Sequence, residues 1–195
     1  DGGSHQSTIV PGIMADLFRM ESYEPADCNE MQELMKLMHE QNKAAYFRLT
    51  RQKLPVYSSG SYSHGTGARM VKDVVKNIGK DVSYGVPSVV LLGSAAGLDL
   101  AMQAALQLAK EGAADGVAVR VIDVYSLSHL NTDAFRKLIP AGALVATVHD
   151  AHHKLLAREV AYSLAQIGQG NKIISFGMQE FGETGCLADL YKKHG

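Results

Sequence analysis

Two short polar segments of this chain carry side chains suited to binding small anions. Residues 1–6 (DGGSHQ) place Asp1 and His5 in a glycine-containing loop, and Arg51 lies in a polar triplet that follows an apolar run. A carboxylate, an imidazole and a guanidinium on loops beside rigid elements suit small anionic or polyhydroxylated ligands. These residue types predict a sugar-phosphate site. Because functional loops seldom begin at a chain terminus, we expect further residues to complete it.

A glycine-containing turn, residues 93–97 (GSAAG), follows an apolar run and precedes a helical pattern, with Asp123 at the end of the next predicted strand. This arrangement superficially resembles a dinucleotide site. The fingerprint of such sites needs glycines for the turn, for the approach of the pyrophosphate and for helix packing, and only part of it is present. We interpret the segment as a tight strand-to-helix turn.

Residues 149–153 (HDAHH) have the side-chain types of a metal site, but their compact spacing is not a standard zinc pattern. We interpret them as a solvated or interface loop at the carboxyl end of a strand. A Ser-His-Asp hydrolase is not favoured either, because the chain lacks the Gly-x-Ser-x-Gly segment that exposes the nucleophile.

These segments lie among apolar runs and helical patterns that alternate four times in residues 88–195. The predicted strands are 89–92, 117–124, 144–148 and 173–176, and the predicted helices are 98–108, 155–167 and 187–193. Such alternation favours an open, mostly parallel, Rossmann-like α/β domain with both faces covered. A short strand from Ala68 to Lys72 is a candidate for a fifth, antiparallel member.

The composition along the chain changes twice and predicts three regions. Residues 1–53 alternate helical and strand-like segments, 54–87 are rich in Ser, Gly and Tyr and suggest a linker, and 88–195 form the regular α/β region. In the first region, Asp27 and Glu30 have the spacing of a capping box, so a helix should begin there. Its predicted core-facing side chains are Met31, Leu34, Met35 and Met38.

Composition and charge exclude several classes of protein. Apolar residues make up 46% and charged residues 20%, which is typical of a globular protein. With 19 basic and 20 acidic residues, neither nucleic acid nor an anionic membrane is a favoured partner. Cys28 and Cys186 lack the spacing of a disulfide framework, which suits a reducing compartment. No apolar run reaches the roughly 18 residues of a membrane span, and no signal peptide is evident. The sequence therefore predicts a cytoplasmic protein.

Several segments, in order, resemble the second half of the pyrimidine-binding domain of transketolases. They are residues 1–6 (DGGSHQ), 23–30 (YEPADCNE) and 49–55 (LTRQKLP). Three later segments are similar to the transketolase C-terminal domain: 92–94 (LGS), 119–126 (VRVIDVYS) and 176–185 (FGMQEFGETG). The resemblance implies a partial pyrimidine-binding α/β domain over 1–53, a linker over 54–87 and a transketolase C-terminal domain over 88–195.

The resemblance also implies an activity and roles for three residues. Transketolases of the pentose phosphate pathway move a two-carbon ketol unit between sugar phosphates with thiamine diphosphate and Mg²⁺ or Ca²⁺, and the cofactor performs the carbanion chemistry. By the family's pattern, Asp1 accepts a hydrogen bond from a donor-sugar hydroxyl, while His5 and Arg51 hold the terminal phosphate. The family's loop usually has Pro where Gly3 stands, so this loop has more backbone freedom.

Partners follow from the same resemblance. In the family, the glutamate and the aromatic residue that serve the cofactor ring precede the position of Asp1, and the pyrophosphate and metal site belongs to another domain. We therefore expect no catalytic set, cofactor site or metal site in this chain alone, and contact with an N-terminal thiamine-diphosphate-binding part. A homodimer of the assembled unit is also expected. The C-terminal domain supports dimerisation in the family, and His149, His152 and His153 are candidates for that interface.

Three alternatives remain open at this point. Deoxyxylulose-phosphate synthases and the β subunits of 2-oxoacid dehydrogenases share the domain order, although residues 50–52 (TRQ) favour transketolase. The third alternative is a non-catalytic α/β interaction module descended from such enzymes.

Overall fold

The computed structural model describes residues 8–57, 66–75, 88–111 and 118–194. Its helices and strands in chain order are α1 (Val10–Ala15), β1 (Met20–Tyr23), α2 (Cys28–Gln41), β2 (Ala44–Phe47), β3 (Ala68–Val75), β4 (Ser88–Ser94), α3 (Ala96–Lys110), β5 (Ala118–Val124), α4 (Thr132–Leu138), β6 (Leu144–His152), α5 (Lys154–Ile167), β7 (Lys172–Met178) and α6 (Leu187–His194). Among the described residues, no helix combines the length and the apolar character that crossing a membrane requires.

The larger of two sheets has five strands in the order β3-β5-β4-β6-β7. Strands β4 to β7 are parallel to one another, whereas β3 is antiparallel to β5. The predicted open, mostly parallel α/β architecture is confirmed, and so is the antiparallel fifth strand, which extends to Val75. That strand lies inside the segment predicted to be a linker, and the division into 1–53, 54–87 and 88–195 stays a prediction.

Side chains of the central strands alternate between two apolar layers. Val90 and Leu92 point into the layer covered by α4 and α5, where they join Phe135 and Leu156. Leu91, between them, packs on the opposite face with side chains of α3. Because successive strand residues point to opposite faces, burial on both sides explains the uninterrupted apolar run of β4.

The first region forms a small parallel sheet of β1 and β2 with α2 between them in the chain. Asp27 caps α2, since its Oδ1 accepts the N–H of Glu30 at 3.0 Å. The carboxylate of Glu30 accepts the N–H of Ala26 at 2.6 Å. The predicted capping box is confirmed, with Ala26 rather than Asp27 providing the second amide.

The predicted apolar face of α2 is only partly correct. Leu34 and Met38 are buried in a cluster with Tyr125. Met31 is half-buried, and Met35 is 53% exposed, so the prediction that Met35 lies in the core is wrong. The reason is geometric, because each helical residue is rotated by about 100° from the preceding one and Met35 is turned away from the layer that Leu34 enters.

The segment after β1 lies across the carboxyl edge of the large sheet. Tyr23 forms an isolated antiparallel bridge with Ser126. The amide of Glu24 donates to the Tyr125 carbonyl at 3.0 Å, and the Glu24 carbonyl accepts the N–H of Ala95 at 3.3 Å. The first region is therefore joined by its backbone to the edge where ligands of open α/β sheets usually bind.

Candidate functional site

The strand order reverses between β4 and β6. The chain leaves β4 through α3 to β5 on one side and then crosses through α4 to β6 on the other. Ser94 and His149 are opposite each other in register at the carboxyl ends of these two strands. Ser94 Oγ donates to Glu24 Oε2 at 2.8 Å, and His149 Nε2 lies 2.5 Å from the same oxygen. A carboxylate of the chain itself therefore occupies the crevice where such sheets bind ligands.

The turn after β4 has the tight geometry that the sequence predicted. Ala95 has φ 48° and ψ −127°, an uncommon conformation for a residue with a Cβ. A Cβ added to Gly93 would lie 2.4 Å from Leu98 Cα, and one added to Gly97 would lie 2.2 Å from the Val148 carbonyl oxygen. Both glycines thus permit close backbone approach, which explains the glycine spacing by packing.

Glu24 is fully buried, yet it is held as a carboxylate. Burial alone would raise the pKa of this group above its ordinary value of 4.5. The charge and hydrogen bond of His149, the charge of Arg48 and the hydrogen bond of Ser94 outweigh burial and lower the pKa to about 2. Glu24 is therefore negatively charged throughout the neutral pH range.

A second ion pair joins the first region to the end of β6. Arg48 follows β2, and its guanidinium donates two hydrogen bonds to the Asp150 carboxylate. Nη1 is 2.7 Å from Oδ1, and Nη2 is 3.2 Å from Oδ2. Arg48 Nη1 is also 3.5 Å from Glu24 Oε1. Burial would lower the pKa of Arg48, but the charges of Asp150 and Glu24 outweigh it and raise the pKa. This bidentate geometry is the strong form of an arginine–carboxylate contact.

A cavity of about 570 Å³ opens beside this ion pair. Its walls are the segment after β2, the carboxyl ends of β6 and β7, and α6. Its polar lining includes Arg48, Thr50, Arg51, Gln52, Glu183, Tyr191 and His194. The volume is in the range of small-molecule sites, and apolar side chains complete the walls.

Arg51, one of the three residues predicted from sequence, lies in the wall of this cavity and is exposed. Its turn is held by Thr50, whose Oγ1 accepts the N–H of Gln52 at 3.1 Å. The other two, Asp1 and His5, lie outside the described residues. Their convergence with Arg51 therefore stays a prediction.

The three histidines of segment 149–153 have different surroundings. His149 has no exposed side-chain surface, so the expectation that it contributes to an association surface is wrong. His149 pairs instead with Glu24, which follows β1. His153 Nδ1 is 2.9 Å from Ser175 Oγ, and its ring centre is 5.0 Å from that of His152. Across the described residues, no three His, Cys, Asp or Glu side chains are grouped to hold a metal ion.

A second buried group of charges lies at the end of β5. Arg69 Nη2 is 3.0 Å from Asp123 Oδ2, and Arg69 Nε is 3.6 Å from Glu30 Oε1. Both carboxyl groups are fully buried. Burial, and then the charge of Glu30, raise the pKa of Asp123 well above its usual value, and Arg69 only partly opposes them. Asp123, which belongs to the partial dinucleotide pattern of the sequence, pairs within the fold.

Sequence reasoning missed Glu24 and Arg48 and gave Asp150 no partner. Each has a weak local signal, because Glu24 directly follows residues 20–23 (MESY) and Arg48 directly follows the apolar run 44–47 (AAYF). Their pairing is not local, since Arg48 and Asp150 are far apart in the chain and meet only through the strand order. A charged residue at the carboxyl end of each of several strands was the available clue.

Both a family model and a curated protein that match this chain are transketolases. The family described as "Transketolase, C-terminal domain" matches residues 81–195. The curated protein "Transketolase-1, chloroplastic" of Arabidopsis thaliana is 27% identical over 198 residues, which cover 100% of this chain and 24% of that protein. The chain thus spans about a quarter of the length of this curated relative.

Solved structures show the same fold. A split-gene transketolase, described as an inactive beta4 tetramer, superposes with a TM-score of 0.76 at 22% identity, covering 99% of this chain and 58% of that one. Transketolases of Campylobacter jejuni and Leishmania mexicana give TM-scores of 0.67 and 0.68 at 20% identity. Both cover 100% of this chain, and 27% and 26% of theirs.

Proposed function

Because the chain belongs to the transketolase C-terminal domain family, we propose that it is part of a transketolase that transfers a two-carbon ketol unit between sugar phosphates. In this proposal the chain supplies contacts to the phosphate end of the sugar and a surface for dimerisation. The observation that carries the proposal is the position of Arg51 in the wall of the 570 Å³ cavity. A guanidinium there offers a planar, permanently charged fork to phosphate oxygens.

Asp1 and His5 complete the proposed sugar-phosphate site. His5 adds a second hydrogen-bond donor to the phosphate, and Asp1 accepts a hydrogen bond from a sugar hydroxyl. Binding the phosphate at a distance from the reacting carbon helps to orient that carbon and so favours the reaction.

Thiamine diphosphate and Mg²⁺ or Ca²⁺ belong to the complete enzyme in this proposal. When bound, thiamine diphosphate supplies the carbanion chemistry that protein side chains lack. The described residues do not fit the role of a metal site, because no three potential ligands are grouped among them. Because the resemblance implies that the pyrophosphate and metal site belongs to another domain, we assign the cofactor to the N-terminal thiamine-diphosphate-binding part, as a neighbouring domain or a separate subunit.

The assembled unit is proposed to be a cytoplasmic homodimer. The split-gene transketolase supports the idea that such a half can exist as its own chain, since this chain covers 58% of that one at a TM-score of 0.76. Its tetramer is described as inactive, which agrees with a need for both halves.

The test is a coupled assay on the complete enzyme, meaning this chain together with its thiamine-diphosphate-binding part. We expect ketol transfer from xylulose 5-phosphate to ribose 5-phosphate. Turnover that depends on pyruvate would instead identify a deoxyxylulose-phosphate synthase or a 2-oxoacid dehydrogenase. An absence of thiamine-dependent turnover with either substrate set would favour the interaction module.

A further inference from the structure

The turn that carries Arg51 is attached on both sides to the C-terminal part of the chain. Arg48 precedes it and Gln52 follows it, and the described structure gives each a side-chain partner beyond residue 88. We propose that these partners, Asp150 and Tyr191, are positioning residues that set the place of Arg51 and hence the affinity for the sugar phosphate. This inference rests on the proposed function and gives the C-terminal domain a part in substrate recognition.

The attachment before Arg51 is the Arg48–Asp150 pair. Besides the two contacts between guanidinium and carboxylate, Arg48 Nη2 is 3.4 Å from the Asp150 carbonyl oxygen. Side-chain exposures of 21% and 12% show that water has little access to the pair. Asp150 belongs to β6 and directly follows His149, which is paired with both β4 and β7, so its carboxylate is attached one residue beyond the doubly paired part of the sheet.

The backbone at this point is fixed as well. The amide of Arg48 donates to the Tyr23 carbonyl at 2.9 Å. The backbone position of Arg48 is thus set by β1, and its side chain by the end of β6. Arg51 follows Arg48 by only three positions, so the short backbone segment between these two residues has little conformational freedom.

The attachment after Arg51 comes from α6. Gln52 Nε2 donates to the Tyr191 hydroxyl at 3.2 Å. Both side chains line the same cavity as Arg51. Arg51 is therefore bracketed by one charge-assisted contact and one neutral hydrogen bond, each to a different element of the C-terminal part.

Positioning matters here because Arg51 is exposed and its side chain is long. A long arginine loses rotational freedom when it binds phosphate, and a backbone that is already placed reduces the further cost of ordering. A purely structural role for Asp150 and Tyr191 would lower stability and affect all substrates alike. A positioning role would affect the phosphorylated substrate selectively, and the two roles can be separated by kinetics.

The experiment measures KM and kcat of the complete enzyme with xylulose 5-phosphate and with unphosphorylated xylulose as donors. For Asp150→Asn we expect KM for the phosphorylated donor to rise about tenfold, within the loss that a misplacement of about 1 Å causes. For Tyr191→Phe we expect a rise of about fivefold, the size set by one hydrogen bond. In both variants kcat and the kinetics with xylulose should be unchanged.

Two control variants make the same chemical changes away from the cavity. Asp73, on the outer strand β3, pairs with Arg120 of β5, and Asp73→Asn alters its carboxylate. Tyr162→Phe alters an exposed tyrosine of α5. Neither control should change KM for the phosphorylated donor.

The Arg51→Ala background separates this inference from the proposed function. If Arg51→Ala does not raise KM selectively for the phosphorylated donor, the proposed phosphate contact is wrong. If it does, Asp150→Asn and Tyr191→Phe should add nothing further in that background. Additive losses, or equal losses with both donors, would overturn the positioning role. If Asp150→Asn fails to fold, Tyr191→Phe alone decides.

Discussion

At the scale of single residues, two buried carboxyl groups have opposite electrostatic situations. Glu24 has a hydroxyl, an imidazole and a guanidinium around it, and its pKa is lowered to about 2. Asp123 shares one guanidinium with Glu30, and its pKa is raised well above the usual value. The surroundings of Glu24 therefore stabilise its charged form better than those of Asp123 do.

Glu24 should make the protein sensitive to acid. Because its folded pKa lies below the ordinary 4.5, its contribution to stability is complete above pH 4.5 and is lost as the pH falls towards 2. The contribution is of the order of 3 kcal/mol, since one pKa unit corresponds to about 1.4 kcal/mol. Urea unfolding at several pH values should show this loss in the parent protein and a flatter curve in Glu24→Gln.

Asp123→Asn provides the matched comparison. Asparagine removes the repulsion between Asp123 and Glu30 that helps to raise the pKa of Asp123, so Asp123→Asn should cost less stability at pH 7 than Glu24→Gln. Glu24→Gln, in contrast, removes the carboxylate that pairs with His149 and leaves Arg48 with Asp150 alone, so it should lower the melting temperature at pH 7. Equal destabilisation by both substitutions would contradict this difference between the two carboxyl groups.

The proposed phosphate contact can also be tested at the scale of single residues. In the complete enzyme, Arg51→Ala and His5→Ala should each raise KM for xylulose 5-phosphate by about 10- to 100-fold, as expected for a lost charge-assisted hydrogen bond. Unphosphorylated xylulose should be nearly unaffected, because it lacks the anion. Arg136→Ala, which removes an exposed arginine of α4, is the control. A similar loss with both donors would exclude the phosphate role.

At the scale of elements, the local pattern of apolar and capping residues correctly predicted those helices and strands that are determined by their own side chains. The helix α2 begins at its capping box, and the apolar runs became β4 to β7. The antiparallel strand β3 was also anticipated. Helix α4 was not located, because only one of its seven residues, Phe135, is fully buried, and seven residues give too short a pattern.

The caps of two helices allow a prediction about stability. Asp27 caps α2 and also accepts the N–H of Tyr57 through its other oxygen at 2.8 Å. Asn131 caps α4 through one bond, to Ala134 at 2.9 Å. Asn131→Ala should lower the free energy of unfolding by about 1 kcal/mol, and Asp27→Ala by about 2 kcal/mol, because it removes a second hydrogen bond.

Urea unfolding of the two variants at neutral pH measures both values. The comparison is informative because each change removes one capping side chain and leaves the helix sequence intact. If Asp27→Ala costs no more than Asn131→Ala, the bond to Tyr57 contributes nothing to stability.

The candidate site was less predictable than the fold. Arg51 was identified from residue type and family resemblance, and it lies in the cavity wall. The residues that attach its turn, Asp150 and Tyr191, could not be found, because their contacts depend on which strand ends and which helix meet in space. A hydrogen bond between Gln52 and Tyr191 leaves no periodic signal in either segment.

At the scale of the whole molecule, polar contacts join the first region to the large sheet at three strand ends. They are Glu24 with Ser94 and His149, Arg48 with Asp150, and Glu30 with Arg69 and Asp123. Charged residues at such a junction favour one arrangement of the parts, because any other would leave buried charges unpaired. The two parts should consequently unfold together.

Limited proteolysis tests this coupling. In the double variant Glu24→Gln/Asp150→Asn, cleavage within residues 8–57 should precede cleavage within 118–194, because the ion pairs of Glu24 and Arg48 that join the first region to the sheet are lost. The parent protein and the control Asp73→Asn should be cleaved in both parts at similar rates. Uniform cleavage of the double variant would show that the ion pairs of Glu24 and Arg48 do not hold the junction.

The carboxylate of Glu24 in the crevice between β4 and β6 has a consequence for inhibitor discovery. An acidic fragment that targets this crevice competes with a group tethered to the same polypeptide, whose effective concentration is roughly millimolar or higher. Weak hits would go undetected against the parent protein. Screening against Glu24→Ala removes both the carboxylate and the volume of the side chain and makes the crevice accessible to small acids.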